Sequence, residues 1–90
     1  MDISYYLNKW GFASFGMTLV RDAEFLKLFG DCLRKLRKEH EMSQYMLADI
    51  ANINRSQVIE IEKGEVNPTI CTLKVLAEAL EIPLHELVDV

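Results

Sequence analysis

Ninety residues suit one domain, and a chain this short buries only about 60 to 65% of the surface its unfolded form exposes, so every apolar position has to be used. Half the residues are apolar and 27% are charged, with four glycines and two prolines, which excludes a disordered tail and a fold of many short strands and favours an all-α domain. The net charge of −4 excludes a polycation, and no apolar run approaches the roughly 18 residues needed to cross a bilayer.

The chain opens on "MDISYYLNKWGFASFG", in which Tyr5, Tyr6, Trp10, Phe12 and Phe15 follow no clean period. Residues 1–20 are therefore set apart as an aromatic N-terminal extension. Two readings stand open: packing on the domain or on a second subunit, because so many aromatics resist water, or a poorly ordered leader or mistaken start upstream of Met17. The longest apolar stretch, residues 10–20, lacks a basic leader and a small-residue cleavage site, so no signal peptide is expected and the location expected is cytoplasmic.

From Asp22 to His40, Phe25, Leu28, Phe29, Cys32, Leu33 and Leu36 recur at steps of three and four, the spacing of one helical face. Thr18 or Asp22 caps this first helix. Gly30 inside it costs up to about 1 kcal/mol relative to Ala unless close packing demands it, and the basic "RKLRK" at its end suits the negative pole of the helix dipole. Ser43 then caps a helix over 44–51 whose stripe is Leu47, Ala48 and Ala51, and Asn52 tolerates the positive φ of a turn. Asn54 followed by Gln57 predicts a capping-box variant, with Ile53 packing on Val58 as a staple, and a third helix over 55–63 buries Val58 and Ile61 before Gly64 ends it. Thr69 caps a fourth helix to about Glu81 with Leu73, Leu76, Ala77 and Leu80 inward, and Pro83 opens a last one whose Leu84, Leu87 and Val88 close the core. The expected architecture is five helices, all α, over residues 21–90.

Cys32 and Cys71 fall on apolar faces and read as small buried hydrophobes; with only His40 and His85 besides, no metal site is expected, and no cofactor. No nucleophile sits beside a suitable base and no Gly-rich phosphate loop exists, so the chain is not read as an enzyme. The acidity is uneven. Over 31–63 six bases (Arg34, Lys35, Arg37, Lys38, Arg55, Lys63) balance six acids (Asp31, Glu39, Glu41, Asp49, Glu60, Glu62), whereas beyond Gly64 five acids face only Lys74. Total charge therefore says little about the potential on any one face.

Two short helices joined by three residues, with Ala48 allowing a close approach, have the geometry of a helix-turn-helix over 44–63. Arg37, Ser43–Gln44, Leu47–Ala48, "IEKG" ending at Gly64, Asn67–Pro68 and "LAEAL" occur in order and at matching spacing. On these residues the chain, over roughly 29–87, resembles the Xre or Cro-repressor type of helix-turn-helix, also called lambda-repressor-like.

The resemblance implies a recognition helix facing the major groove of double-stranded DNA with Asn54, Arg55, Ser56, Gln57 and Glu60, and with Lys63 and Asn67 at the duplex. Gln44 would hold a phosphate through its side chain and backbone N–H, a role the anion preference of helix N-termini supports. Arg55 suits guanine O6 and N7 together, Glu60 a cytosine N4 donor, and Ile59 a thymine methyl. Arg34, Lys35 and Lys38 would add a positive rim. Arg37 and Glu62 would form a partly buried ion pair fastening the recognition helix to the first helix. The chain departs from the family pattern at Glu41 and Asn52, where glycines are usual, and at Glu65 and Val66, where basic or polar residues are common. With so few cations, modest affinity and a homodimer are expected. The function implied is a sequence-specific transcriptional repressor; the alternatives are an antitoxin that also binds a protein partner, and an interaction module that has lost DNA binding.

Overall fold

A computed structural model describes residues 21–90. The extension over 1–20, its aromatics and Thr18 lie outside the described residues. Five helices follow in order: α1 (Ala23–Glu39), α2 (Gln44–Ala51), α3 (Arg55–Glu62), α4 (Ile70–Ala79) and α5 (Leu84–Leu87), and no strand occurs among the described residues. α3 packs against α1 and α2, α2 also against α4, and α4 against α5.

Three starts are capped by side chains. Asp22 accepts from the Phe25 N–H, Ser43 from Met46 and Thr69 from Thr72, each satisfying one of the N–H groups a helix start leaves unpaired. α3 differs: Asn54 holds the N-cap position but makes no side-chain cap bond, so the capping box expected with Gln57 is not formed.

The helix ends share one device. Behind α1 to α4 a residue takes positive φ: Glu41 (55°), Asn52 (59°), Gly64 (74°) and Glu81 (56°). In each case the next residue donates its N–H back five positions, Met42 to Arg37, Ile53 to Ala48, Glu65 to Glu60 and Ile82 to Ala77, all at 3.0–3.1 Å. This is the Schellman arrangement, which satisfies carbonyls that the helix end would leave open. Met42, Ile53 and Ile82 then pack on the core. Glu81 therefore turns the chain rather than prolonging α4, which stops at Ala79. A side chain in this region of φ costs of order 1 kcal/mol, more than the entropy glycine loses there. Glu41→Gly is accordingly expected to raise stability by about 0.5 to 1 kcal/mol, read as a higher urea midpoint with an unchanged slope.

The core gathers Phe29 and Leu33 of α1, Leu47, Ala48 and Ala51 of α2, Val58 and Ile61 of α3, Leu76, Ala77, Ala79 and Leu80 around α4, and Leu87 of α5. Three further expectations are corrected. On α1 the buried stripe runs through Leu26, Phe29 and Leu33, while Phe25 and Leu28 are about half exposed. Seen from α3, the first helix is turned slightly from the face its longest apolar series suggests. Cys32 is only half-buried and Cys71 is exposed, so neither is a core residue. Partial burial still pushes the Cys32 thiol above its ordinary pKa, which disfavours the reactive thiolate. Val88 lies outside the last helix and is exposed. None of the described helices is long and apolar enough to cross a membrane.

Candidate nucleic-acid interface

The α2–α3 unit depends on a close approach at Ala48, which is 3% exposed, and on the turn at Asn52. The turn is closed by Ile53 N–H to the Ala48 carbonyl at 3.0 Å and Asn52 N–H to Asp49 at 3.2 Å. Val58 and Ile61 anchor the inner side of α3, at 0% and 1% exposure. What remains outside is polar: Asn54, Arg55, Ser56 and Glu60 are exposed, as is Lys63 just past the helix, while Gln57 and Ile59 are half-buried.

These residues divide between two depressions. Asn54, Ser56, Gln57 and Glu60 border one of about 340 Å³ whose far wall is the α3–α4 loop with the exposed Asn67. Gln44, Ile59 and Lys63 border another of about 330 Å³. Arg55 belongs to neither; it stands beside α2, its guanidinium carbon 5.9 Å from the centre of the Tyr45 ring. That distance is within cation–π range, an attraction of about 0.5 to 1 kcal/mol at exposed sites. Tyr45 has no signature in the sequence, because a lone exposed aromatic carries no periodic signal.

Beneath this surface Arg37 and Glu62 meet in the interior at 8% and 5% exposure. Arg37 Nε donates to Glu62 Oε2 at 2.6 Å and Nη2 to Oε1 at 2.9 Å, a two-pronged contact, and Nη1 donates to the Met42 carbonyl at 2.9 Å. Gln44 Nε2 adds a third donor to Glu62, at 3.1 Å. No buried side-chain nitrogen or oxygen among the described residues lacks a partner. The hydrogen bonds to Glu62 outweigh burial and raise the guanidinium pKa above its already high value, so Arg37 stays charged. Glu62 is thus withdrawn from the surface charge. The resemblance implies a phosphate contact for Gln44; in the structure one of its amide hydrogens is committed to Glu62, which leaves the other for a further acceptor.

The seat of α3 on α1 has two further parts. Gly30 faces the end of α3 so closely that a Cβ there would lie 2.5 Å from the Ile61 carbonyl oxygen and 2.6 Å from that of Glu62. Arg21, ahead of α1, donates to the carbonyls of Gly64 (3.3 Å) and Glu65 (2.9 Å). The Arg21 link spans more than forty positions and has no local signature.

Comparison with known proteins agrees with this geometry. A model of the helix-turn-helix family matches residues 33–87. The chain is 37% identical over 59 residues to the immunity repressor protein of Bacillus phage phi105, covering 66% of this chain and 41% of that protein. It is 36% identical over 63 residues to the HTH-type transcriptional repressor RghR of Bacillus subtilis, covering 69% of this chain and 47% of the relative. The chain thus spans less than half the length of these two relatives. Among solved structures, the restriction-modification controller protein C.AhdI from Aeromonas hydrophila superposes with a TM-score of 0.68 at 38% identity, covering 73% of this chain and 98% of that one. With its two short helices, Asn52 turn, buried Val58 and Ile61 and a family match over most of its length, the chain belongs to the helix-turn-helix family of the Xre or Cro-repressor type.

Proposed function

We propose that the protein is a DNA-binding transcriptional regulator that represses by laying α3 in the major groove, two copies acting together on an inverted site. One observation carries the reading: the first turn of α3 offers Asn54, Arg55 and Ser56 to solvent while Val58, Ile61 and Glu62 face inward, so the helix presents a polar edge held from behind. The repressors and the controller protein it resembles support the same role.

In this reading Arg55 supplies the base contact, a guanidinium donating to guanine O6 and N7, with Tyr45 limiting the directions it samples. Ser56, Gln57 and Glu60 read neighbouring edges; a carboxylate at Glu60 favours a cytosine amino group and repels acceptor edges, which sharpens choice and lowers affinity. Gln44 and the start of α2 hold a phosphate, and Lys63 and Asn67 complete the contact. Two copies would place their α3 helices about one duplex turn, roughly 34 Å, apart.

Selection of bound sites from random duplex DNA tests this, with recovery of a paired, inverted motif expected. Arg55→Ala is expected to cost about 1 to 3 kcal/mol of preference for the selected base at one position of each half-site, measured by competition against single-base variants, with the remaining positions still discriminated. Flat enrichment, or a loss spread evenly over all sequences, would defeat the assignment.

A further inference from the structure

The depression that borders Ile59 shares no residue with the one beside Glu60 and Asn67. Arg37, paired with Glu62, lines it, and its rim carries three further cations, Lys27 and Arg34 of α1 and Lys63 just past α3, around Ile59 and Gln44. Glu62 also lines it, but its oxygens already accept from Arg37 and Gln44, so no uncompensated carboxylate faces the space. The opposite depression contains Glu60 and no Lys or Arg. The two flanks of α3 are therefore unlike in charge.

The three cations are not equally free. Lys27 Nζ is 2.9 Å from Asp31 and Lys63 Nζ 4.0 Å from Glu65, both on the exposed surface, where such pairs hold weakly. Arg34 makes no ion pair among the described residues. Lys27 and Arg34 are two helical turns apart, about 10 Å along α1, which spreads positive charge along an edge instead of gathering it at one point. Such a strip suits a repeating chain of phosphates better than a base edge.

We propose that this flank is a second contact with the same duplex, in which Arg34, assisted by Lys27, takes backbone phosphates of the strand bordering the groove that α3 enters. The inference rests on the DNA-binding reading above and extends it to α1, a helix outside the helix-turn-helix. Gln44 and Lys63 join the two regions, since both border this depression and belong to the face assigned to DNA. Because phosphates carry no sequence information, these residues set affinity and register and leave base preference alone.

The test is equilibrium binding of the full chain to a selected duplex and to a scrambled one, followed by fluorescence anisotropy over a range of salt concentrations. Arg34→Gln is expected to lower the slope of log affinity against log salt by about 0.9 per bound copy, hence about 1.8 for two copies on one site, and Lys27→Gln with Arg34→Gln by up to twice that, by the same amount per bound copy on both duplexes. Lys74→Gln is the control: it removes the same charge from the exposed surface of α4, and because Lys74 borders neither depression beside α3 its loss leaves the slope unchanged. Thermal midpoints equal to that of the parent chain show that the variants are folded. An unchanged slope for Arg34→Gln, or an equal fall for Lys74→Gln, overturns the proposal while Arg55→Ala still alters base preference. Failure of the parent chain to bind any duplex at low salt overturns the α3 reading and this one together.

Discussion

Glu62→Leu is expected to destabilise the protein by about 3 to 5 kcal/mol, the usual cost of leaving one member of a buried pair alone. The Arg37 guanidinium would keep its Met42 carbonyl contact but lose both carboxylate oxygens, while remaining in the interior with its charge. Gln44 would lose an acceptor as well. For a domain of this size the whole folding free energy is only about 4 to 10 kcal/mol, so the variant would be close to unfolding at room temperature. Urea denaturation measures it. The companion experiment replaces both partners, Arg37→Met with Glu62→Leu, and is expected to recover most of the loss, because two apolar side chains of similar bulk avoid the cost of drying a charge. Should Glu62→Leu fall within about 1 kcal/mol of the parent chain, the pair is not what seats α3. Should the double variant be no better than the single one, the loss comes from shape and not from the unpaired charge.

Gly30→Ala is the second large effect, and its sign runs against helix propensity. In a free helix the change would gain about 1 kcal/mol. Here the added methyl would meet the carbonyl oxygens of Ile61 and Glu62 at 2.5 and 2.6 Å, and both are backbone atoms in the last turn of α3, which cannot swing aside as a side chain would. Either α1 and α3 separate, or the end of α3 distorts; both disturb the Arg37–Glu62 contact a short distance away. A net loss of about 3 kcal/mol is expected, at the upper end of ordinary overpacking. Thermal or urea unfolding decides it, and a neutral or stabilised Gly30→Ala protein would show that the helices lie further apart than described. The same displacement should weaken duplex binding in protein that is still folded, since the position of the polar edge of α3 depends on this seat.

How much of this could be read before any coordinates is clear from particular residues. Ser43, Asn52, Gly64 and Thr69 act within a few positions of themselves, through a cap oxygen or a permitted φ, and the boundaries they imply for α2 and the start of α4 match the structure. The inward stripes Leu47–Ala48–Ala51 and Val58–Ile61 are equally local, because spacing alone puts them on one side of a helix. Glu81 carries no local sign of its positive φ, since nothing in a glutamate favours that region, and Glu41 is marked only by standing where the family usually has glycine; both take it because Met42 and Ile82 must turn back onto the core. α1 has more apolar residues than one face can use, so its own period could not choose between Phe25–Leu28 and Leu26–Phe29–Leu33.

By itself, then, the order of residues determined the helices, most of their ends and the family to which the chain belongs, since those follow from short-range spacing and backbone preference. Tertiary structure alone decided which side of α1 is buried, that Gln44 joins the Arg37–Glu62 pair, that Gly30 must be a glycine, and that Lys27 and Arg34 border the same depression as Ile59. Each of these depends on the distance and rotation between helices far apart in the chain. No local periodicity encodes that relation; it emerges only when the apolar faces of all the helices have to be dried at once.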